Sequence, residues 1–170
     1  MRYRWGQVHQ QLGSVKPLTA WEYEEVKLCL PTSALSLFRS MSVADQRHSV
    51  RVCLGLKERG CIEADMLAAA LLHDVGKAQG RVPFWTRPVI VLGKAFAPKL
   101  LKKLVVPLEL LDTPSIPRWR CALGYAWWHA EVGAELAAQA GLSERAALYI
   151  RMHHQPHGPA AELHLVDEVS

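Results

Sequence analysis

The chain has 170 residues, of which 50% are hydrophobic, so it holds enough apolar material for one domain with a sizeable core and is not a disordered polypeptide. A formal charge of +4 and a pI near 9.0 suit an anionic small molecule or surface, but they do not demand a nucleic acid, and no stable nucleic-acid complex is expected. The longest candidate membrane segment, Pro88 to Leu92, falls far short of the roughly 20 residues needed to span a bilayer. Residues Met1 to Gly6 lack the continuous apolar run of a signal peptide, so a cytoplasmic protein is expected.

Thr19-Ala20-Trp21-Glu22 reads as a capping box that opens a helix running to about Leu30, where Pro31 stops it. Thr32-Ser33 starts the next helix, through Leu35, Leu37 and Phe38. Ser42-Val43-Ala44-Asp45 starts another, which carries His48 and ends at Gly60. The spacing then predicts a helix from Glu63 to Lys77, rich in Ala and Leu and bearing His73-Asp74 near its end. Residues 81–120 contain Pro83, Pro88, Pro98, Pro107, Pro114 and Pro117, so only short helices are expected there. Tyr125 to Ala140 reads as a strong helix with His129, closed by Gly141. Ser143 caps the helix that ends in His153-His154, and Ala160 to Val169 makes a last short helix with Asp167. The fold class expected is all-α, a single domain over 1–170 with a core of about 32–168 and an N-terminal extension at 1–31. Cys29, Cys53, Cys61 and Cys121 form no CxxC pair and match no zinc module, so they read as reduced thiols.

The most informative residues are His73 and Asp74. They close the apolar run Met66 to Leu72, where an unpaired imidazole and carboxylate are costly to bury. A divalent metal is a natural partner for both groups, and His48, His129, His153, His154 and Asp167 supply further ligands from separate predicted helices. Antiparallel helices can aim such residues at one point. Lys77, about one turn beyond the dyad, is placed to meet a phosphate oxygen as a point charge. Gly133, one turn after His129, would let a neighbouring helix approach closely. His157 and His164 read as surface residues, His9 carries no signal, and Trp127 and Trp128 read as core.

From Arg81 to Leu108 there are six Lys or Arg and no acid, interleaved with Phe84, Trp85, Val89 to Leu92 and Phe96. That segment reads as a solvated cationic face over an apolar one, as a lid that attracts phosphate, or as a shallow contact with a membrane surface.

His48-Ser49-Val50-Arg51-Val52, the stretch Ala68 to Lys77 with His73-Asp74-Val75-Gly76-Lys77 at its end, and Asp167 together resemble the HD-domain metal-dependent phosphohydrolase superfamily over about residues 45–168. His129-Ala130-Glu131-Val132-Gly133 and Ile150-Arg151-Met152-His153-His154 are similar to the extra histidine motifs of the subgroup with two metals. That subgroup includes the HD-GYP phosphodiesterases and bacterial diadenosine tetraphosphate hydrolases. The resemblance implies a helical bundle holding one or two divalent transition metals per chain (Fe, Mn, Ni, Co or Zn). His48, His73, Asp74 and Asp167 would ligate the first metal. Asp74 would bridge to a second, held by His129 and His153 with His154 nearby. Lys77 and Arg81 would bind substrate, with Asp74 and Lys77 as catalytic residues. Here Gln155-Pro156-His157-Gly158-Pro159 stands where the HD-GYP group has Gly-Tyr-Pro, and Ala44 stands where a carboxylate for a third metal would be expected. The function implied is hydrolysis of a phosphomonoester or phosphodiester of a nucleotide-like small molecule by metal-activated hydroxide. The alternatives are a di-iron oxygenase on the same ligands and a non-catalytic nucleotide-binding module.

Overall fold

A computed structural model describes residues 16–170; the expectations for Met1 to Gly6 and His9 lie outside the described residues. Every regular element among the described residues is helical, which makes the domain all-α. The helices are α1 (Ala20–Cys29), α2 (Thr32–Arg39), α3 (Val43–Glu58), α4 (Ala64–Leu72), α5 (Thr86–Phe96), α6 (Pro98–Leu104), α7 (Arg118–Gln139), α8 (Glu144–Met152) and α9 (Ala161–Val169), with single 3-10 turns at Val75–Lys77 and Leu108–Leu110.

The expected caps form. Thr19 and Glu22 satisfy each other's backbone N–H groups at 2.7 and 3.2 Å. The Ser42 and Ser143 hydroxyls accept from the N–H groups of Asp45 and Ala146 at 3.1 and 3.0 Å. Gly60 and Gly141, both at φ +88°, end α3 and α7 in the left-handed region that other residues adopt at a cost.

At the centre lies α4. Every residue from Met66 to Leu72 is buried, and a helix apolar on all sides must be enclosed by others. Phe38, Leu56, Ile150 and Leu163 from other helices join its Leu71 and Leu72 in the main core. Val26 and Leu30 belong to the same core, so it begins on α1, before residue 32. A second, smaller core joins Val106, Leu111 and Tyr125 and fixes the proline-rich middle of the chain to α7.

Two expected boundaries move. The helix expected over Glu63 to Lys77 stops at Leu72, with His73 at its C-cap, Asp74 at φ −99° and ψ 4°, and a 3-10 turn after it. The reason is Gly76, which presses on the backbone of α7: a Cβ there would lie 2.1 Å from the carbonyl oxygen of His129. In a continuous α-helix, adjacent side chains diverge by about 100°. The turn instead brings His73 and Asp74 to bear on one point. The second change is in α7, which begins at Arg118 rather than near Tyr125, because Pro117 fits the position just before a helix. Trp127 and Trp128 are half-buried rather than core; the Trp128 indole N–H donates to the Val106 carbonyl at 2.9 Å, which keeps its polar edge at the rim.

Candidate metal centre

Helices α4 and α8 lie side by side and run the same way. At their N-terminal ends the Ser143 hydroxyl donates to Asp65 at 2.8 Å, and the Tyr149 hydroxyl, from the middle of α8, reaches Glu63 before α4 at 2.8 Å. At their C-terminal ends the rings of His73 and His153 meet edge to face, 5.1 Å apart. Each histidine is the C-cap of its helix. The negative ends of two helix dipoles therefore converge where the imidazoles do, a field that favours a cation.

The ring orientations are set locally. Nδ1–H donates to the carbonyl three residues back in His73 (to Ala70, 2.9 Å), His129 (to Ala126, 2.9 Å) and His153 (to Ile150, 2.6 Å). A carbonyl only accepts, so Nδ1 carries the proton in all three, and each Nε2 presents a lone pair to the centre. The Nε2 atoms of His73 and His153 are buried and have no hydrogen-bond partner. His154 stands at the rim, where its Nε2–H donates to His129 Nε2 at 2.8 Å.

The carboxylates come from opposite sides. Asp74 Oδ1 lies 3.7 Å from His129 Nε2 and 3.9 Å from His153 Nε2, while Oδ2 lies 3.7 Å from His73 Nε2. Lys77 Nζ closes on Asp74 Oδ1 at 2.5 Å. Asp167 arrives on α9, which seats against α3 where a Cβ on Gly55 would come within 2.9 Å of Val166. Its Oδ1 accepts from His48 Nε2 at 2.8 Å and lies 3.4 Å from His73 Nε2.

The electrostatics follow from burial and charge. Burial opposes ionisation of Asp74, but Lys77, His73, His129 and His153 outweigh it and hold the carboxyl well below the usual range. Asp167 is likewise held low, burial being overcome by its hydrogen bond to His48 and by the His73 ring beside it. Burial, then the charge of His73 and His154, pushes His153 down to about 3. Burial and then Lys77 hold His129 well below its ordinary value and lower His154 as well. At His73 burial acts downward, but Asp74 and Asp167 prevail and raise it.

Neutral imidazoles and ionised carboxylates are the ligand forms that bind transition metals. Two groups of three meet the spatial requirement, His48-His73-Asp74 and His129-His153-His154; within each group the ligand atoms lie within 4.8 Å of one another. The two orphaned Nε2 atoms are the strongest sign of fit, since an unpaired buried nitrogen is costly and a metal satisfies it. The Lys77 ammonium occupies a lone pair of Asp74 that a bridging carboxylate would need.

Seven of the residues singled out as ligands thus come together: His48, His73, Asp74, His129, His153, His154 and Asp167. Lys77 joins them through Asp74. Arg81 instead stacks its guanidinium on the Tyr125 ring, 5.4 Å from the centroid, and lines a groove of about 430 Å³ with Asp112, Glu131, Glu135 and Arg151. Gly133 does permit close approach: a Cβ there would lie 3.3 Å from the Gly76 nitrogen. His157 is exposed as expected, but His164 is half-buried and its Nδ1–H donates to the His153 carbonyl at 3.1 Å, bracing the histidine turn. Its spacing of three from Asp167 on α9 was the available signal, because i and i+3 share a helix face.

Comparison of the chain with family models, with curated proteins and with solved structures returns no match.

Proposed function

We propose that this protein is a metal-dependent phosphohydrolase of HD-domain type, acting on a phosphomonoester or phosphodiester of a nucleotide-like small molecule. The observation that carries the reading is the pair of adjacent three-ligand groups around Asp74, with two buried, unpartnered Nε2 atoms facing the centre. His48, His73, Asp74 and Asp167 would hold one divalent ion, and His129, His153 and His154 a second, with Asp74 between them. Ions bound there supply Lewis acidity and a water activated near neutral pH.

The chain's own residues supply the rest. Asp74, ionised under all ordinary conditions, offers one oxygen toward each ligand group. Lys77 is held beside that carboxylate by an ion pair, and once Asp74 is engaged by cations its ammonium is free to turn to a phosphate oxygen. The neutral imidazoles add no negative charge, so the centre stays net positive and attracts phosphate. The depressed proton affinities of His129, His153 and His154 keep these ligands available in mildly acidic solution.

The test is turnover of a panel of phosphomonoesters, nucleotides, dinucleoside polyphosphates and cyclic dinucleotides by protein loaded with Mn, Fe, Co, Ni or Zn, beside Asp74→Ala. One class should be hydrolysed, and Asp74→Ala should lose at least about a thousandfold of that rate while keeping its helical circular dichroism. Hydrolysis surviving in the variant overturns the reading. Oxygen uptake without phosphate release, with iron bound, replaces it with the oxygenase, and nucleotide binding without any product replaces it with a regulatory module.

A further inference from the structure

The hairpin of α5 and α6 reverses the usual pattern of a surface helix. Thr86, Ile90 and Gly93, spaced by four and three, are the covered positions of α5. The outward positions Pro88, Val89, Val91, Leu92, Ala95 and Phe96 are all exposed, and none carries a charge. Phe84 and Phe96 bracket the helix with relative exposures of 84% and 83%. The hairpin continues into α6, whose Leu101 is buried against Gly93, with Leu100 left outside.

The cations divide into two sets. Arg87 and Lys94, seven residues apart on one edge of α5, fasten it to the body: Arg87 pairs with Asp45 at 3.3 Å, and Lys94 lies 4.9 Å from the Trp127 ring centre. Lys99, Lys102 and Lys103 are exposed, and no ion pair joins them to another described residue. No acid occurs between Arg81 and Leu108 to neutralise them.

We propose that the outer face of α5, with the lysines of α6, docks on the surface of an anionic phospholipid bilayer. Exposed apolar side chains that form a continuous, charge-free face mark a contact site rather than a solvated surface. A second copy of this face would set one acid-free cationic hairpin against another. A bilayer instead accepts aromatic side chains projecting at both ends of a short helix without a matching pocket, and its phosphates answer the lysines. Among the described residues no helix is long and apolar enough to cross a membrane, so the contact is peripheral. The docked hairpin would also set the metal centre near the headgroups, because Asp45 lies three residues before His48 and Trp127 two before His129. The docking does not depend on the proposed reaction.

The test is cosedimentation of the full chain with vesicles of phosphatidylcholine alone and of phosphatidylcholine mixed equally with phosphatidylglycerol. Binding should favour the mixed vesicles and weaken as salt is added. Phe84→Ser/Phe96→Ser and Lys99→Glu/Lys102→Glu/Lys103→Glu should each weaken it at least about tenfold, the first by removing the aromatic area buried in the bilayer and the second by reversing the charge that meets the headgroups. Both variants should keep the wild-type melting temperature, and Lys27→Glu on α1 should bind as wild type. Binding to neither vesicle, equal binding to both, or binding unchanged in the two hairpin variants overturns the proposal. So does a lipid-independent dimer abolished by Phe84→Ser/Phe96→Ser, which would make the face a contact between copies.

Discussion

His73, His129 and His153 differ from ordinary buried histidines in having one nitrogen committed to their own helix and the other left to the centre. Metal stoichiometry should therefore split by ligand group. Elemental analysis of His129→Ala should show the loss of one bound ion, and that of Asp74→Ala the loss of both; His129→Ala retaining wild-type metal content would remove His129 from the ligand set. The same groups tie stability of the metal-free protein to pH. His129, His153 and His154 bind a proton more weakly folded than unfolded, so the unfolded chain takes up protons first as pH falls below the ordinary 6.5, and the fold loses stability. His73 acts in the opposite sense, its raised affinity adding stability below 6.5 that fades as pH rises through its folded value. Below 6.5 His73 is protonated in both states, so the buried His129 and His153 set a net loss between pH 6.5 and about 3, at up to about 1.4 kcal/mol per pH unit for each proton, the exposed His154 adding less because solvent screens it. The urea midpoint of chelator-treated protein should accordingly be lower at pH 5 than at pH 7.5. An unchanged midpoint would mean that these imidazoles are not held neutral.

At the level of elements, the decisive contact is the one between the 3-10 turn Val75–Lys77 and α7. Gly76 lies where even a methyl group would strike the His129 carbonyl, and Gly133 faces the Gly76 nitrogen from the other side. Gly76→Ala should cost about 2–3 kcal/mol in a denaturant titration, because backbone rather than a flexible side chain must give way. It should also weaken metal binding in calorimetry, since moving the turn moves Asp74 relative to His129. Full metal affinity in a destabilised Gly76→Ala protein would separate the turn from the site. Much at this scale was legible in the sequence. The capping residues Thr19, Ser42 and Ser143 mark real starts because a side-chain oxygen meeting a free N–H is a local event. The break after Leu72 was not legible, because its cause is a helix some 50 residues away in sequence, and helix propensity carries no information about that neighbour. The convergence of His48, His73-Asp74, His129, His153 and Asp167 was suggested by ligand-type residues on separate predicted helices, and its ligand set came from the resemblance to the HD-domain superfamily. The bracing by His164 and the position of Arg81 on Tyr125 arise only once α9 and α7 are packed.

For the whole molecule, the candidate ligands come from α3, the end of α4 and the turn after it, α7, the end of α8, and α9. An ion held by groups from so many elements stabilises all of their mutual packing at once. Saturating metal, at about a hundred times its dissociation constant, should stabilise the fold by about 2.7 kcal/mol, and a chelator should reverse the gain. Scanning calorimetry with and without chelator reads this directly; equal melting temperatures would show that the centre holds no ion. The charge distribution acts at the same scale: divalent ions outweighing two carboxylates inside, and an acid-free hairpin outside, would give a positive face around the site, so a phosphate-bearing ligand should associate more slowly as salt is raised.

The internal hydrogen bond from each ring to the carbonyl three residues behind it has a consequence for how this sequence can change. The information that aims each of these imidazoles is stored within four consecutive residues, and in backbone atoms that any amino acid provides. Substitutions at the exposed positions of α7 and α8 can alter the outside of the protein without turning the rings. The aim of these imidazoles is thus inherited with the helices themselves, and the surface is left open to drift.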